Sequence, residues 1–179
     1  METAVLGGGC FWCLEAVFEQ IRGVEAVVSG YCCGVTTHPT YAEVCEGNTC
    51  HAEVVSIRFD PARISFREVL QVFFAIHDPT SVNRQGNDIG TQYRSIIVCQ
   101  SPDQERGAHR LIGELAEKKI WDSPIVTQVV AAQPFYPAEK YHQQYFRNNP
   151  GQGYCAFVVS PKVAKFRKEF AELLKPECL

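Results

Sequence analysis

Two cysteines, Cys10 and Cys13, stand three positions apart where a glycine turn leads into a predicted helix. The apolar residues 4–6 predict a short strand, and the glycines at 7–9 predict a tight turn. From Cys10 onward apolar residues recur at helical spacing, and Gly23 is placed to end the helix. Cys10 is therefore expected beside a helix N-terminus, where unpaired N–H groups and the helix dipole favour a thiolate and lower the thiol pKa. We interpret Cys10 as a nucleophile.

The spacing of this pair is compatible with three kinds of chemistry. Both sulfur atoms could exchange disulfides as in a thioredoxin-like oxidoreductase, although the bulky residues between them argue against it. The pair could bind zinc in a binding or redox-sensing module if Cys45, Cys50 and His51 supplied ligands, but that spacing is atypical. In an enzyme that handles peroxides or sulfoxides, only Cys10 attacks and a second thiol resolves the oxidised product.

The composition is that of an ordinary globular protein. A chain of 179 residues can build one domain with a substantial core, and 46% hydrophobic and 21% charged residues fit that class. A net charge of -3 argues against nucleic-acid binding, and no apolar run reaches the length of a membrane span. The chain enters its first predicted strand without a signal or transit peptide, so we expect a cytoplasmic location with mostly free thiols among its nine cysteines.

Strand and helix patterns alternate irregularly along the rest of the chain. Strands are predicted near residues 24–30, 54–60, 93–99 and 126–132, and helices after Ser65, after Ser101 and over 163–174. Two long loops, residues 31–52 and 80–92, interrupt them, and long loops in compact domains are usually functional. We expect an α+β two-layer sandwich whose mixed central sheet has a ferredoxin-like core. Residues 1–179 should form a single domain with a mobile tail at 175–179.

Four polar residues in or beside the two loops could assist a nucleophilic thiol. Glu53 lies where a loop meets a strand, so burial could raise the pKa of its carboxyl into the range of a general acid. Tyr41 and Tyr93 could donate phenolic hydrogen bonds, and Asp88 could orient them. Taken singly, each residue also fits a simpler role as an exposed charge, a half-buried aromatic or a turn residue.

Several longer motifs occur together and in one order. They are Gly9-Cys10-Phe11-Trp12-Cys13, Pro39-Thr40-Tyr41-x-Glu43-Val44-Cys45, His51-Ala52-Glu53, His77-Asp78-Pro79, Gln85-Gly86-Asn87-Asp88-x-Gly90-Thr91-Gln92-Tyr93-Arg94-Ser95, Phe135-x-x-Ala138-Glu139-x-Tyr141-His142-Gln143 and Asn149-Pro150-Gly151. Over residues 4–168 the chain resembles the peptide methionine sulfoxide reductase A family, which reduces the S epimer of methionine sulfoxide.

The resemblance implies a role for each candidate residue. Cys10 would attack the sulfoxide sulfur and become a sulfenic acid. Glu53 would protonate the sulfoxide oxygen, assisted by the phenols of Tyr41 and Tyr93 and by Asp88. An apolar pocket beside the nucleophile, formed by Phe11 and Trp12, would take the terminal methyl group of the substrate and select the epimer.

The family's resolving cysteine varies, and two candidates stand out here. Cys13 lies one helical turn from Cys10, whereas Cys178 lies near a tail that could swing in, and a two-step relay through both is a third alternative. Thioredoxin or a similar thiol donor would reduce the resulting disulfide. The resemblance implies no metal and no bound organic cofactor. The substrate would be free or protein-bound methionine-S-sulfoxide, and we expect the enzyme to be a monomer.

Overall fold

A six-stranded sheet lies at the centre of the computed structural model, which describes residues 1–179. The strands in chain order are β1 (Glu2–Gly7), β2 (Val24–Cys32), β3 (Ala52–Phe59), β4 (Arg84–Gln85), β5 (Asp88–Ile89), β6 (Ile96–Cys99), β7 (Gln128–Ala131) and β8 (Phe135–Pro137). The sheet order is β7-β6-β1-β3-β2-β8, and β4 pairs with β5 in a separate hairpin.

The pairing makes the sheet mixed, as predicted. Strands β6 and β7 run parallel, and every other neighbouring pair in the sheet is antiparallel. The fold is therefore a mixed α/β fold built on a mixed sheet. Tyr93, which was expected in a strand, instead lies in a short 3-10 turn (Thr91–Tyr93) that follows Gly90 with its φ of 150°.

Six α-helices cover or flank the sheet. They are α1 (Phe11–Phe18), α2 (Tyr41–Cys45), α3 (Phe66–Ile76), α4 (Pro102–Glu117), α5 (Tyr145–Asn148) and α6 (Ser160–Glu169). The caps predicted for two of them are confirmed: Ser65 and Glu68 form a capping box at α3, and Ser101 caps α4 ahead of Pro102. Helix α6 continues from a π-helical segment, Cys155–Val159, so the last helical region begins earlier than predicted.

The two faces of the sheet bury different cores. The larger core lies between the sheet and the helices and includes Leu6, Tyr31 and Phe73. The other face carries a small cluster that includes Cys32 and Val54. Because neighbouring residues of a strand point to opposite faces, Tyr31 and Cys32 belong to different cores.

The final residues pack against the far end of α1 in this structure. The backbone N–H of Lys175 donates to the carbonyl of Gln20 at 2.8 Å, and Pro176–Cys178 forms a 3-10 turn. The segment predicted as a mobile tail is thus held beside the C-terminal end of α1. None of the helices is long and apolar enough to cross a membrane.

Candidate active site

The glycine turn places Cys10 against Glu53. Cys10 is the N-cap residue of α1, and Gly9 before it has a φ of +95°, which only glycine adopts readily. A Cβ atom on Gly7 would come within 2.8 Å of the Glu53 carbonyl oxygen. Because Gly7 lacks a side chain, the turn and the start of β3 approach closely, while Gly9 leaves room for the side chain of Gln85.

Cys10 is more deeply buried than the sequence indicates. Its residue is only 8% exposed, and burial, together with a hydrogen bond to Cys13, raises the pKa of the Cys10 thiol well above its ordinary value. The predicted lowering of this pKa by the helix N-terminus is therefore wrong in this structure. The position at the N-terminal end of α1 is confirmed, but desolvation outweighs the hydrogen bond from the backbone N–H of Trp12, which lowers the pKa.

Cys13 is the thiol that this environment favours as a thiolate. The hydrogen bond from Cys10 lowers the pKa of Cys13 and, against the effect of burial, the charge of Lys162 and the phenol of Tyr154 lower it further. The backbone N–H of Cys13 also donates to the carbonyl of Cys10 at 3.1 Å, so the two candidate thiols lie on the same turn, close enough to influence each other's pKa.

Glu53 has the environment of a general acid. The residue is 1% exposed, and burial raises the pKa of its carboxyl to about 8, although a hydrogen bond from the backbone N–H of Phe11 to Oε2 at 3.1 Å opposes the rise. The carboxyl is therefore protonated at neutral pH. Since Oε2 accepts the Phe11 N–H, the other oxygen, Oε1, can hold the carboxyl proton and donate it to the oxygen of a substrate.

Tyr41 and Tyr93 are held as neutral phenols beside Glu53. Burial and the charge of Glu53 raise the pKa of both hydroxyls. The charge of Cys10 acts on Tyr93 as well, which places this phenol near the nucleophile. The Tyr41 N–H donates to Glu139 Oε2 at 3.0 Å, which anchors the first residue of α2.

Asp88 does not orient either tyrosine. Its carboxylate accepts a hydrogen bond from the Tyr154 phenol, and the prediction that it positions Tyr41 and Tyr93 is wrong on this point. The Asp88 charge still acts on Tyr93. Both Asp88 and Tyr154 line an open cavity of about 740 Å³, together with Gln85 and Lys162. Sequence reasoning missed Tyr154, because nothing in its local pattern distinguishes it from a core aromatic.

Trp12 forms the aromatic wall of the site. Its ring stacks on Tyr145 at 3.8 Å with an interplanar angle of 6°, and it meets Tyr154 edge-on at 5.8 Å. The indole N–H donates to Nδ1 of the buried His142 at 3.0 Å. The role of His142 was also missed, although the residue lies within one of the sequence motifs.

Phe11 supports this wall from behind. Its ring has no exposed surface and packs against Tyr31 at 5.7 Å and His142 at 5.1 Å. The expected direct contact of Phe11 with substrate is therefore not supported in this conformation, whereas Trp12 retains accessible surface. Of the two residues predicted to form one pocket, Trp12 therefore forms the accessible surface, and Phe11 packs beneath it.

The remaining cysteine candidates lie outside this arrangement. Cys178 packs beyond the C-terminal end of α1, whose eight residues correspond to about 12 Å of helix, whereas Cys10 lies at its N-terminal end. His51, the possible zinc ligand, has both ring nitrogens in contact with its own loop, Nδ1 with the Gly34 N–H and Nε2 with the Thr36 carbonyl. Of the two candidate resolving thiols, Cys13 is thus the one that lies beside Cys10, and the zinc interpretation is not favoured.

Comparisons with known proteins agree with this geometry. Residues 2–174 match the family described as Peptide methionine sulfoxide reductase. The peptide methionine sulfoxide reductase MsrA of Ralstonia nicotianae is 59% identical over 179 residues, covering 98% of this chain and 94% of the relative.

Solved structures give the same result. Reduced Mxr1 from Saccharomyces cerevisiae is 34% identical with a TM-score of 0.77, covering 86% of this chain and 88% of the other. Mxr1 in complex with Trx2 is 25% identical with a TM-score of 0.55, covering 80% and 84%. The chain therefore belongs to the peptide methionine sulfoxide reductase family, among relatives of the MsrA type.

Proposed function

We propose that this protein reduces methionine-S-sulfoxide to methionine with Cys10 as nucleophile and Glu53 as general acid. The observation that carries the proposal is the buried carboxyl of Glu53, which is protonated at neutral pH and hydrogen-bonded to the residue that follows Cys10. A neutral acid next to a thiol is the pairing that sulfoxide reduction needs. The sulfoxide sulfur is electrophilic only as its oxygen gains a proton.

In the first step the Cys10 sulfur forms a bond to the sulfoxide sulfur while Glu53 donates its proton to the oxygen. Tyr41 and Tyr93, both neutral, donate hydrogen bonds to the same oxygen. The hydroxyl group then passes to the Cys10 sulfur, methionine leaves, and the proton lost by the Cys10 thiol restores Glu53. One thiol and one sulfoxide are converted into one sulfenic acid and one thioether.

In the second step Cys13 attacks the sulfenic acid. Cys13 lies on the same turn as Cys10, and the charge of Lys162 and the phenol of Tyr154, which lower the pKa of Cys13, favour the attacking thiolate. A disulfide forms and hydroxide leaves, taking a proton to become water. A disulfide across one helical turn distorts the start of α1, so it is well suited to rapid reduction.

Thioredoxin is the proposed reductant of that disulfide. The support is the relative Mxr1, whose structure is known in complex with Trx2. The chemistry uses only thiols, a carboxyl and phenols of this chain, and we propose that no bound cofactor takes part. Free and protein-bound methionine-S-sulfoxide are both proposed substrates.

The proposal extends to the compartment, the domain organisation and the core of the fold. All nine cysteines are free thiols, which suits a reducing compartment such as the cytoplasm. We propose one domain for residues 1–179, acting as a monomer. The order β6-β1-β3-β2, with every neighbouring pair antiparallel, supports a ferredoxin-like core for the proposed two-layer sandwich.

The test is turnover on the two sulfoxide epimers. Purified enzyme, thioredoxin, thioredoxin reductase and NADPH are mixed with methionine-S-sulfoxide or methionine-R-sulfoxide. NADPH oxidation with the S epimer only, abolished in Cys10→Ser, supports the proposal. Equal rates with both epimers, or unchanged activity in Cys10→Ser, would refute it.

A further inference from the structure

A second group of thiols lies on the face of the sheet opposite the catalytic cysteine. Tyr31 of β2 points toward α1 and packs on Phe11, whereas Cys32 points the other way into the smaller core. Cys33 follows at the edge of that smaller core and keeps part of its surface exposed. The mechanism proposed above uses neither Cys32 nor Cys33.

The two sulfur atoms of Cys32 and Cys33 are in contact, but their geometry does not favour a disulfide bond between them. Cys33 Sγ lies 3.4 Å from Cys32 Sγ, within hydrogen-bond contact. Consecutive Cα atoms are about 3.8 Å apart, whereas ordinary disulfides span about 4.4–6.8 Å, so a bond between neighbours is strained. Cys32 therefore acts as a buried hydrogen-bond partner, and Cys33 is the accessible sulfur.

Arg94 brings a positive charge to this pair. Its guanidinium donates to the Cys33 carbonyl at 3.4 Å, the Thr91 carbonyl at 2.8 Å and Gln128 Oε1 at 3.2 Å, all neutral oxygens. It takes part in none of the ion pairs of the structure. A partly buried cation without a carboxylate partner can bind an anionic ligand.

The same surroundings favour a thiolate at Cys33. The hydrogen bond with Cys32 lowers the pKa of Cys33, and the charge of Arg94 adds to this effect while burial opposes it. A nucleophilic sulfur therefore stands beside an unpaired guanidinium.

We propose that Cys33 and Arg94 form a second covalent site, which takes small disulfides that carry a carboxylate. Arg94 binds the carboxylate while the Cys33 thiolate attacks the nearer sulfur of the ligand. A new S–S bond forms to Cys33, the S–S bond of the ligand breaks, and its other half leaves as a thiolate that takes a proton from water. One disulfide is consumed and one is formed, so no further oxidant is required. The adduct persists because Cys32 is poorly placed to displace it.

The site is tested in the Cys10→Ser variant, where the catalytic nucleophile is absent. Reduced protein is incubated near neutral pH with dithiodipropionate, an anionic disulfide, or with hydroxyethyl disulfide, a neutral one. Peptide mass spectrometry follows the mixed disulfide at each cysteine. We expect Cys33 to react with dithiodipropionate about tenfold faster than the more exposed Cys45, and to prefer it over the neutral disulfide.

Substitutions at two positions separate the roles of charge and contact. Arg94→Gln should slow the reaction of Cys33 with dithiodipropionate about tenfold and abolish the preference for the anionic disulfide, while Arg94→Lys keeps the preference. Cys32→Ala should slow both disulfides alike. In each variant the rate at Cys33 is divided by the rate at Cys45 in the same sample. A general change in folding alters both rates and therefore does not produce the expected change in their ratio.

Three outcomes would overturn the proposal. They are a Cys33 rate no higher than that of Cys45, a preference that survives in Arg94→Gln, and a Cys33–Cys50 disulfide in place of the mixed adduct. None of these results bears on methionine sulfoxide reduction, because the Cys10→Ser background has no catalytic thiol.

Discussion

The Phe11 backbone N–H donates to Glu53 Oε2 at 3.1 Å, one residue beyond Cys10. This bond ties the proposed acid to the same helical turn as the proposed nucleophile. The acid and the thiol therefore keep their relative positions even if the long loops move. Tyr41 opens α2 within the first long loop, Tyr93 ends the 3-10 turn just after the second, and the charge of Glu53 acts on both phenols.

Replacing Glu53 should damage the chemistry more than the fold. Glu53→Gln can still accept the Phe11 N–H through its amide oxygen, but it has no acidic proton to give. We expect kcat with methionine-S-sulfoxide to fall about a hundredfold or more, since general acids contribute on that scale. Steady-state kinetics with thioredoxin measures the loss, and Glu25→Gln at an exposed position is the matched control. Turnover near the wild-type rate in Glu53→Gln would remove Glu53 from the mechanism.

The buried carboxyl also makes stability depend on pH. The pKa of Glu53 rises on folding from its ordinary value of 4.5 to about 8, so between these values the folded protein holds a proton that the unfolded chain has lost. The stabilisation is full below about pH 4.5 and is lost as pH rises through about 8, an effect of up to about 5 kcal/mol.

Urea unfolding of wild type and Glu53→Gln at a series of pH values tests whether the free energy of unfolding falls as pH rises. Glu15, whose pKa burial raises to about 7, titrates in the same direction in both proteins, so the difference between them isolates Glu53. The wild type should lose stability relative to the variant as pH rises. A constant difference across the series would contradict the assignment.

The resolving thiol can be identified by two serine variants. Cys13→Ser should still release one methionine per chain but stop with Cys10 as a sulfenic acid, because no other thiol contacts it. Cys178→Ser should cycle with thioredoxin at the wild-type rate, since Cys178 packs at the far end of α1. Dimedone labelling and disulfide mapping distinguish these states. Arrest in Cys178→Ser instead would show that the C-terminal segment moves during catalysis.

The indole N–H of Trp12 fixes the aromatic wall through His142. Trp12→Phe keeps a flat ring to stack on Tyr145 but leaves Nδ1 of the buried His142 without its donor. We expect a KM raised several-fold with a smaller change in kcat, because in our proposal this wall contacts the substrate and not the reacting atoms. Kinetics on methionine-S-sulfoxide measures both constants. A kcat loss with unchanged KM would place Trp12 in the chemical step instead.

Local patterns predicted the frame of this site well. The glycine turn and the helical period placed Cys10 at the start of α1, and the Ser65–Glu68 capping box located α3. These features depend on neighbouring residues, which a sequence displays directly. The family motifs added the group of Glu53, Tyr41 and Tyr93, which spacing alone left undecided.

Properties that depend on distant residues were not predicted. The pKa of Cys10 follows from its burial by the folded chain, and a helix N-terminus in the sequence does not reveal that burial. The hydrogen bond between Asp88 and Tyr154 joins residues 66 positions apart, and the pairing of Trp12 with His142 spans 130. The tail around Cys178 looked free because its contacts with Gln20 arise only in the tertiary structure.

A single turnover without reductant tests the central claim most directly. Fully reduced enzyme is mixed with excess methionine-S-sulfoxide, methionine is quantified, and the disulfides are mapped by mass spectrometry. The mechanism predicts about one methionine per chain together with a Cys10–Cys13 disulfide, and no methionine from Cys10→Ser. Methionine release by Cys10→Ser, or none from the wild type, would contradict the assignment of Cys10 as the nucleophile.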